Sequence, residues 1–290
     1  MLNVKFFFGT SLIFSFLVIW RMMTNLSLKD QLDVYSKTEL YFVSNDKFIR
    51  RKIYSNERLE LSPKNISDYG DGTCKENPYA PIVQKLFRSW DAFTKEHGIV
   101  YALHDGSLLA AYRDGHLIPY DSDADVLISF EDLEKLERKL GDQRRYFSRK
   151  NKNMTYFIIQ KDWRMPENVR RRINCESVQV SRMEDSCSFM EPIGRFVSPG
   201  VLKNDGHMAY VDVFAYVNHY DTMYLQDDFN VQVRVKDVFP LKKCSFLGVE
   251  TWCPRNPSKL LKLGYKGNLI PIQKCKQGKW VDSKTKKTKE

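Results

Sequence analysis

Three aspartates, Asp121, Asp123 and Asp125, occupy every second position of the run YDSDADV (residues 120–126), a short way after a Gly106-Ser107 pair. In an extended segment, side chains two residues apart share a face. Carboxylates crowded onto one face repel, and a fold tolerates them where a cation or a raised pKa relieves the repulsion. A hard divalent ion such as Mg²⁺ or Mn²⁺ meets that demand, because it takes oxygen ligands and bridges one or two carboxylates to substrate phosphates. A further acid, Asp212, lies within AYVDVFAYV (209–217), whose alternation places Tyr210, Asp212, Phe214 and Tyr216 on one strand face. A carboxylate buried among aromatics is costly unless paired or metal-bound, so Asp212 also asks for a cation.

These acids need elements to hold them. Ile82, Val83, Leu86, Phe87, Trp90 and Phe93 recur at helical spacing from Pro81, with Gly98 as a stop. A strand over 99–103 then leads to the Gly106-Ser107 turn and a helix over 107–113. The apolar run after the acids, Val126-Leu127-Ile128, reads as a buried strand, and Glu131 to Leu140 as a helix. Strands are expected at 156–160 and 231–241, and a short helix at 257–263; Arg170-Arg171-Arg172 reads as a solvated helix face. The order describes an α/β (α+β) core with a mixed sheet. A turn that opens a helix offers backbone N–H groups and a favourable dipole to phosphate. Gly106 and Ser107 are therefore expected to hold nucleotide phosphates, and Asp121, Asp123, Asp125 and Asp212 a metal.

The run HDGSLLAAYRDGHLIPYDSDADV (104–126) resembles the signature of the LicD and fukutin family within the nucleotidyltransferase superfamily. VDVF (211–214) and ETWCPRNPSKLLKLGYKGN (250–268) fit the family's later blocks, so the resemblance covers about residues 81 to 270. It departs at Asp105 and Ala111, where the family has glycine, at Tyr120 for Trp, and at Ser122 for the middle acid. The resemblance implies a nucleotidyltransferase-like fold and metal-dependent transfer of a phosphorylated group, such as phosphocholine or ribitol phosphate, from a nucleotide-diphosphate donor, typically CDP-linked, to a glycan. Asp123, Asp125 and Asp212 would then be catalytic, with Asp121 as an additional ligand, and Arg113 or a late lysine would neutralise the transferring group. His104 and His116 flank the motif and read as packing residues, or as supports for the acids, rather than as a base. Two other classes share some of these features: a D-x-D glycosyltransferase, against which the upstream Gly-Ser turn argues, and an inactive glycan-binding accessory protein, with Asp105 and Ala111 as the damage.

Phe6 to Trp20 is a charge-free run of 15 residues between Lys5 and Arg21. With its neighbours it approaches the ~20 residues that cross a bilayer. No small-x-small cleavage site follows it, so a signal anchor at 6–23 is preferred to a cleaved signal. Sequons at Asn25, Asn65 and Asn153 and an even six cysteines point to a lumenal body, hence a single-pass type II protein of the Golgi or endoplasmic reticulum. Proximity favours Cys175 with Cys187 and Cys244 with Cys253. The expected layout is a cytosolic tail (1–5), the anchor, a stem (24–80), a catalytic domain (81–275) and a basic disordered tail (276–290). From Lys236 onward there are 14 Lys and Arg against 4 acids, which accounts for the whole net charge of +10. No nucleic-acid motif accompanies that charge, and an anionic sugar-phosphate or nucleotide partner suits it better.

Overall fold

Residues 53–60, 69–141, 146–165, 169–182, 187–202, 208–225 and 231–282 are described by the computed structural model. The expected anchor and cytosolic tail, the sequons at Asn25 and Asn65, and residues 283–290 lie outside the described residues. Among the described residues, no helix is long and apolar enough to cross a membrane.

Strand β1 (Tyr54–Arg58) precedes helix α1 (Ala80–His97). Pro81 stands in the first turn of α1, where a missing N–H costs nothing. Gly98 ends the helix at φ 61°, its N–H directed to the carbonyls of Thr94 and Lys95. Of the stripe read from the sequence, Val83, Leu86, Phe87 and Trp90 are wholly buried, while Ile82 and Phe93 are partly buried against the core. Strand β2 (Tyr101–Leu103) leads to α2 (Asp105–Leu109), which runs on as a π-helical turn over Ala110–Asp114. Then follow β3 (Ala124–Ser129) and α3 (Phe130–Leu140), the latter capped by Ser129 Oγ, which accepts from the Asp132 N–H. Four strands come next: β4 (Tyr156–Ile159), β5 (Gly194–Leu202), β6 (Met208–His219) and β7 (Thr222–Leu225). After β8 (Gln232–Arg234) come α4 (Val235–Val238), β9 (Leu241–Phe246), β10 (Val249–Cys253), α5 (Pro257–Gly264), β11 (Gln273–Lys276) and β12 (Lys279–Asp282).

The architecture is mixed α/β. Its main sheet has seven strands in the order β2-β3-β6-β5-β4, with β7 beside the second half of β6 and β8 beyond β7. Strands β3 and β6 are parallel, whereas β2 and β5 run antiparallel to them. Helix α1 covers one face of this sheet: the Trp90 ring lies 5.5 Å from Phe196 and 5.9 Å from Phe157. A second sheet, β1-β9-β10, and the β11-β12 hairpin complete the fold.

Several expectations change on contact with the fold. The stretch 231–241 is not one strand; it breaks into β8, α4 and the start of β9, and Pro240 has no N–H to give a ladder. Arg170 to Arg172 form no helix: Arg171 grips Asp162 through two hydrogen bonds, and Arg172 donates to the Ser188 carbonyl. Residues 276–282, expected in a disordered tail, belong to the β11-β12 hairpin. Part of the expected stem is built into the body, since β1 pairs with β9 and Cys74 is bonded to Cys275. All six cysteines are paired, the other bonds being Cys175–Cys187 and Cys244–Cys253.

Candidate active site

The register of the central strands lines up the chemistry. Asp125 on β3 is paired with Asp212 on β6, and Asp212 with Arg195 on β5. Directly paired residues point to the same face, so the three form one row across the sheet. Arg195 Nε donates to Asp212 Oδ1 at 2.7 Å, and Nη2 to Oδ2 at 3.3 Å. The guanidinium lies 4.0 Å from the Tyr210 ring centroid and 5.1 Å from that of Phe189. The cation that buried Asp212 demands is thus supplied here by an arginine. Two residues back along β6, Tyr210 shares the face of Asp212 and hydrogen-bonds Asp123.

Helix α2 is locked onto β3 from the side. The Ser107 N–H donates to Asp125 Oδ2 at 3.1 Å, and the Asp125 N–H donates to Ser107 Oγ at 2.8 Å. Ser107 therefore positions Asp125, and the N–H expected to face phosphate is directed at that carboxylate. Gly106 is required for a different reason. A Cβ there would lie 2.9 Å from Asp125 Oδ2 and 3.1 Å from Asp121 Oδ2, so the two carboxylates converge over a position that only glycine leaves open.

Charge at this convergence is strongly perturbed. Burial, reinforced by Asp123 and Asp105, pushes the Asp121 carboxyl up to about 8. Burial also raises Asp125 well above the usual carboxylate range, aided by Asp123, Asp105, Asp121 and Asp212. The Asp123 side chain lies close enough to Asp121 to add to that rise. Asp105, one of the departures from the family pattern, is a fifth carboxylate of the cluster. It sits at φ 31° and accepts a hydrogen bond from the hydroxyl of Tyr265, just past α5. Beside it opens a mainly apolar cleft of about 250 Å³, lined by His104, Asp105, Leu108, Leu225, Leu260 and Tyr265 among others.

Arg113 is placed differently from the expectation. It is 2% exposed, and its guanidinium is held by Asp114, the Tyr69 hydroxyl and the Leu269 carbonyl. The adjacent Asp114 captures the charge in a tie between α2's extension and the N- and C-terminal segments. Replacing it by methionine leaves Asp114 buried without its ion-pair partner, which should cost about 3–5 kcal/mol. Chemical denaturation of Arg113→Met should show that loss; unaltered stability combined with lost donor binding would return Arg113 to the site.

Sequence reasoning missed Arg195 and the Tyr265 contact. Tyr210 was legible as a neighbour of Asp212 on its strand face, but its bond to Asp123 was not. His104 is buried with its ring 5.2 Å from Phe214, and the His116 ring bonds the Leu117 carbonyl, both consistent with packing roles.

Among the described residues, no group of three or more His, Cys, Asp or Glu side chains is arranged to hold a metal ion by itself. The convergence of Asp121 and Asp125 over Gly106 nonetheless fits Mg²⁺ or Mn²⁺, because such ions use one or two carboxylates and complete their shell with water and substrate phosphates. An ion bound there would relieve the crowding that raises Asp121 and Asp125.

No curated protein matches the chain. Residues 98–192 match the family model described as LicD/FKTN/FKRP, nucleotidyltransferase domain. The match begins just past α1 and spans β2, α2, the acids, β3, α3 and β4, while Arg195, Tyr210 and Asp212 lie beyond it. The segment that carries the Gly-Ser turn and the acid cluster is thus similar to the nucleotidyltransferase domain of the LicD/fukutin family.

Proposed function

We propose that the protein transfers a phosphorylated group from a nucleotide-diphosphate donor, CDP-linked by family resemblance, to a hydroxyl of a glycan. The observation that carries this reading is the convergence of Asp121 and Asp125 over Gly106 beside the row Asp125-Asp212-Arg195. Bound Mg²⁺ or Mn²⁺ would supply charge neutralisation at the donor diphosphate. Asp123 and Asp125 would hold that ion, with Asp121 as an additional ligand and Asp212 completing the site. Asp212, fixed by the Arg195 fork, orients the acceptor hydroxyl and takes its proton as the acceptor oxygen bonds to phosphorus and the nucleoside monophosphate leaves. The basic segment from Lys236 onward provides a field that attracts an anionic donor.

The same reading places the protein in the secretory pathway, as a single-pass type II membrane protein of the Golgi or endoplasmic reticulum. Three disulfides and an exposed Asn153 within its sequon support an oxidising, glycosylating compartment.

A thermal-shift screen of the purified chain against cytidine, uridine and guanosine diphosphate donors, with and without Mn²⁺ or Mg²⁺, tests the function. A ligand at about 100 times its Kd adds about 2.7 kcal/mol. The expected result is a metal-dependent response to cytidine donors. A response confined to uridine or guanosine sugars would replace the reading with glycosyl transfer, and silence toward every donor would replace it with a glycan-binding accessory role.

A further inference from the structure

Beyond the acids themselves, two residues outside the family match hold them in place. We infer that Arg195 and Tyr210 are positioning residues that set the directions of Asp212 and Asp123 as one unit, an inference that rests on the metal-site reading above.

Arg195 is 8% exposed and reaches both oxygens of Asp212 from the neighbouring strand, in a pairing fixed by the β5-β6 ladder. A planar guanidinium that meets a carboxylate through two N–H groups fixes its rotation as well as its charge. The guanidinium also sits against the Tyr210 ring at 4.0 Å, within cation–π range. Tyr210 in turn hydrogen-bonds Asp123, whose charge acts on both Tyr210 and Arg195. One arginine thereby reaches two carboxylates, Asp212 on β6 directly and Asp123, just before β3, through an aromatic ring. The arrangement has a chemical consequence. Five carboxylates crowd this region, and without the Arg195 fork Asp212 would be free to turn away from the sheet face. Held by Arg195, it is aimed along the sheet face, and Asp123 is kept beside it by Tyr210. Partners that orient metal-ligating carboxylates typically contribute about 10- to 100-fold in metal affinity or activity.

The test reads metal binding without turnover. Mn²⁺ alone is titrated into the purified full-length wild type, Tyr210→Phe, Arg195→Lys and Arg195→Met, followed by electron paramagnetic resonance of free Mn²⁺, and each protein is melted in parallel without metal. Tyr210→Phe keeps the ring under Arg195 and removes only the hydroxyl. It should melt like wild type yet bind Mn²⁺ about tenfold more weakly. Arg195→Lys retains the charge without the fork and should lose about 10- to 100-fold, with Arg195→Met at least as weak. Wild-type Mn²⁺ affinity in both Tyr210→Phe and Arg195→Lys would overturn the positioning role and leave the metal site standing. Failure of the wild type itself to bind Mn²⁺ would overturn the metal-site reading and this inference with it. Should Arg195→Met not fold, Tyr210→Phe and Arg195→Lys still decide the matter.

Discussion

Asp125→Asn is expected to lower group transfer by at least about a thousandfold while raising the melting temperature of the metal-free protein. The two effects have one origin. Asp125 is buried, and four other carboxylates act on it, so its charged form is unfavourable until a cation arrives. Asparagine keeps the size of the side chain and an oxygen that can accept from the Ser107 N–H, the bond that ties α2 to β3. It is neutral at every pH and so removes the cost of keeping a buried acid protonated among other carboxylates. For the same reason it weakens the hold on a divalent ion. Several kcal/mol of transition-state stabilisation by the ion then disappears, and about 4 kcal/mol corresponds to roughly a thousandfold in rate. A site selected for function rather than stability should show this opposition. Parallel measurement of transfer rate and thermal melting decides it: a variant that loses activity and also melts lower would point to a structural role for Asp125.

The parts of this site written into local pattern were legible, and those written into register were not. Helix α1 announced itself through its spacing of apolar residues and its Pro81 and Gly98 ends. The strand after the acids and the alternation around Asp212 were equally plain, because period-two patterns survive folding unchanged. Arg195 left no such trace. It lies in GRFVSPGVL, where Pro199 and Gly200 weaken any strand signal, and its ladder with β6 shifts register between Val197 and Leu202. Its partnership with Asp212 exists only because two antiparallel strands align. Arg113 misled in the opposite direction: it is near the acids in sequence, but Asp114 next to it takes the charge. The cysteines follow the same rule. Pairs separated by 12 and 9 residues were favoured by proximity alone, whereas Cys74–Cys275, at a separation of 201, required the whole fold to bring its ends together. Asp105 was legible as a departure from the family pattern but not as a member of the cluster, since Tyr265, which holds its carboxylate, lies 160 residues away in the chain.

The cluster also fixes how stability should depend on pH. Asp121 carries a folded-state pKa of about 8 against an ordinary 3.8, raised first by burial and then by Asp123. Between those values the folded chain holds a proton that the unfolded chain has released. Stability from this group is therefore fully present below about pH 4 and is lost as pH rises through 8. At 1.36 kcal/mol per pH unit, Asp121 alone accounts for a decline on the order of 5 kcal/mol across that window, and Asp125 adds to it in the same direction. Asp162 and Asp237, held low chiefly by Arg171 and Lys259, act the other way, but their contributions are lost only as pH falls below the ordinary carboxylate range. The metal-free protein should accordingly melt highest in mildly acidic buffer and progressively lower toward pH 8. Saturating Mg²⁺ or Mn²⁺ should reverse the slope near neutrality, because a divalent ion stabilises the deprotonated cluster and competes with protons for it. Melting curves across this range, with chelator and with each ion, provide the check, and Asp125→Asn should flatten the chelator series. A metal-free profile that rises toward pH 8, or an ion effect as large in acid as at neutrality, would mean that the carboxylates above Gly106 relieve their repulsion by some route other than shared protons and a bound cation.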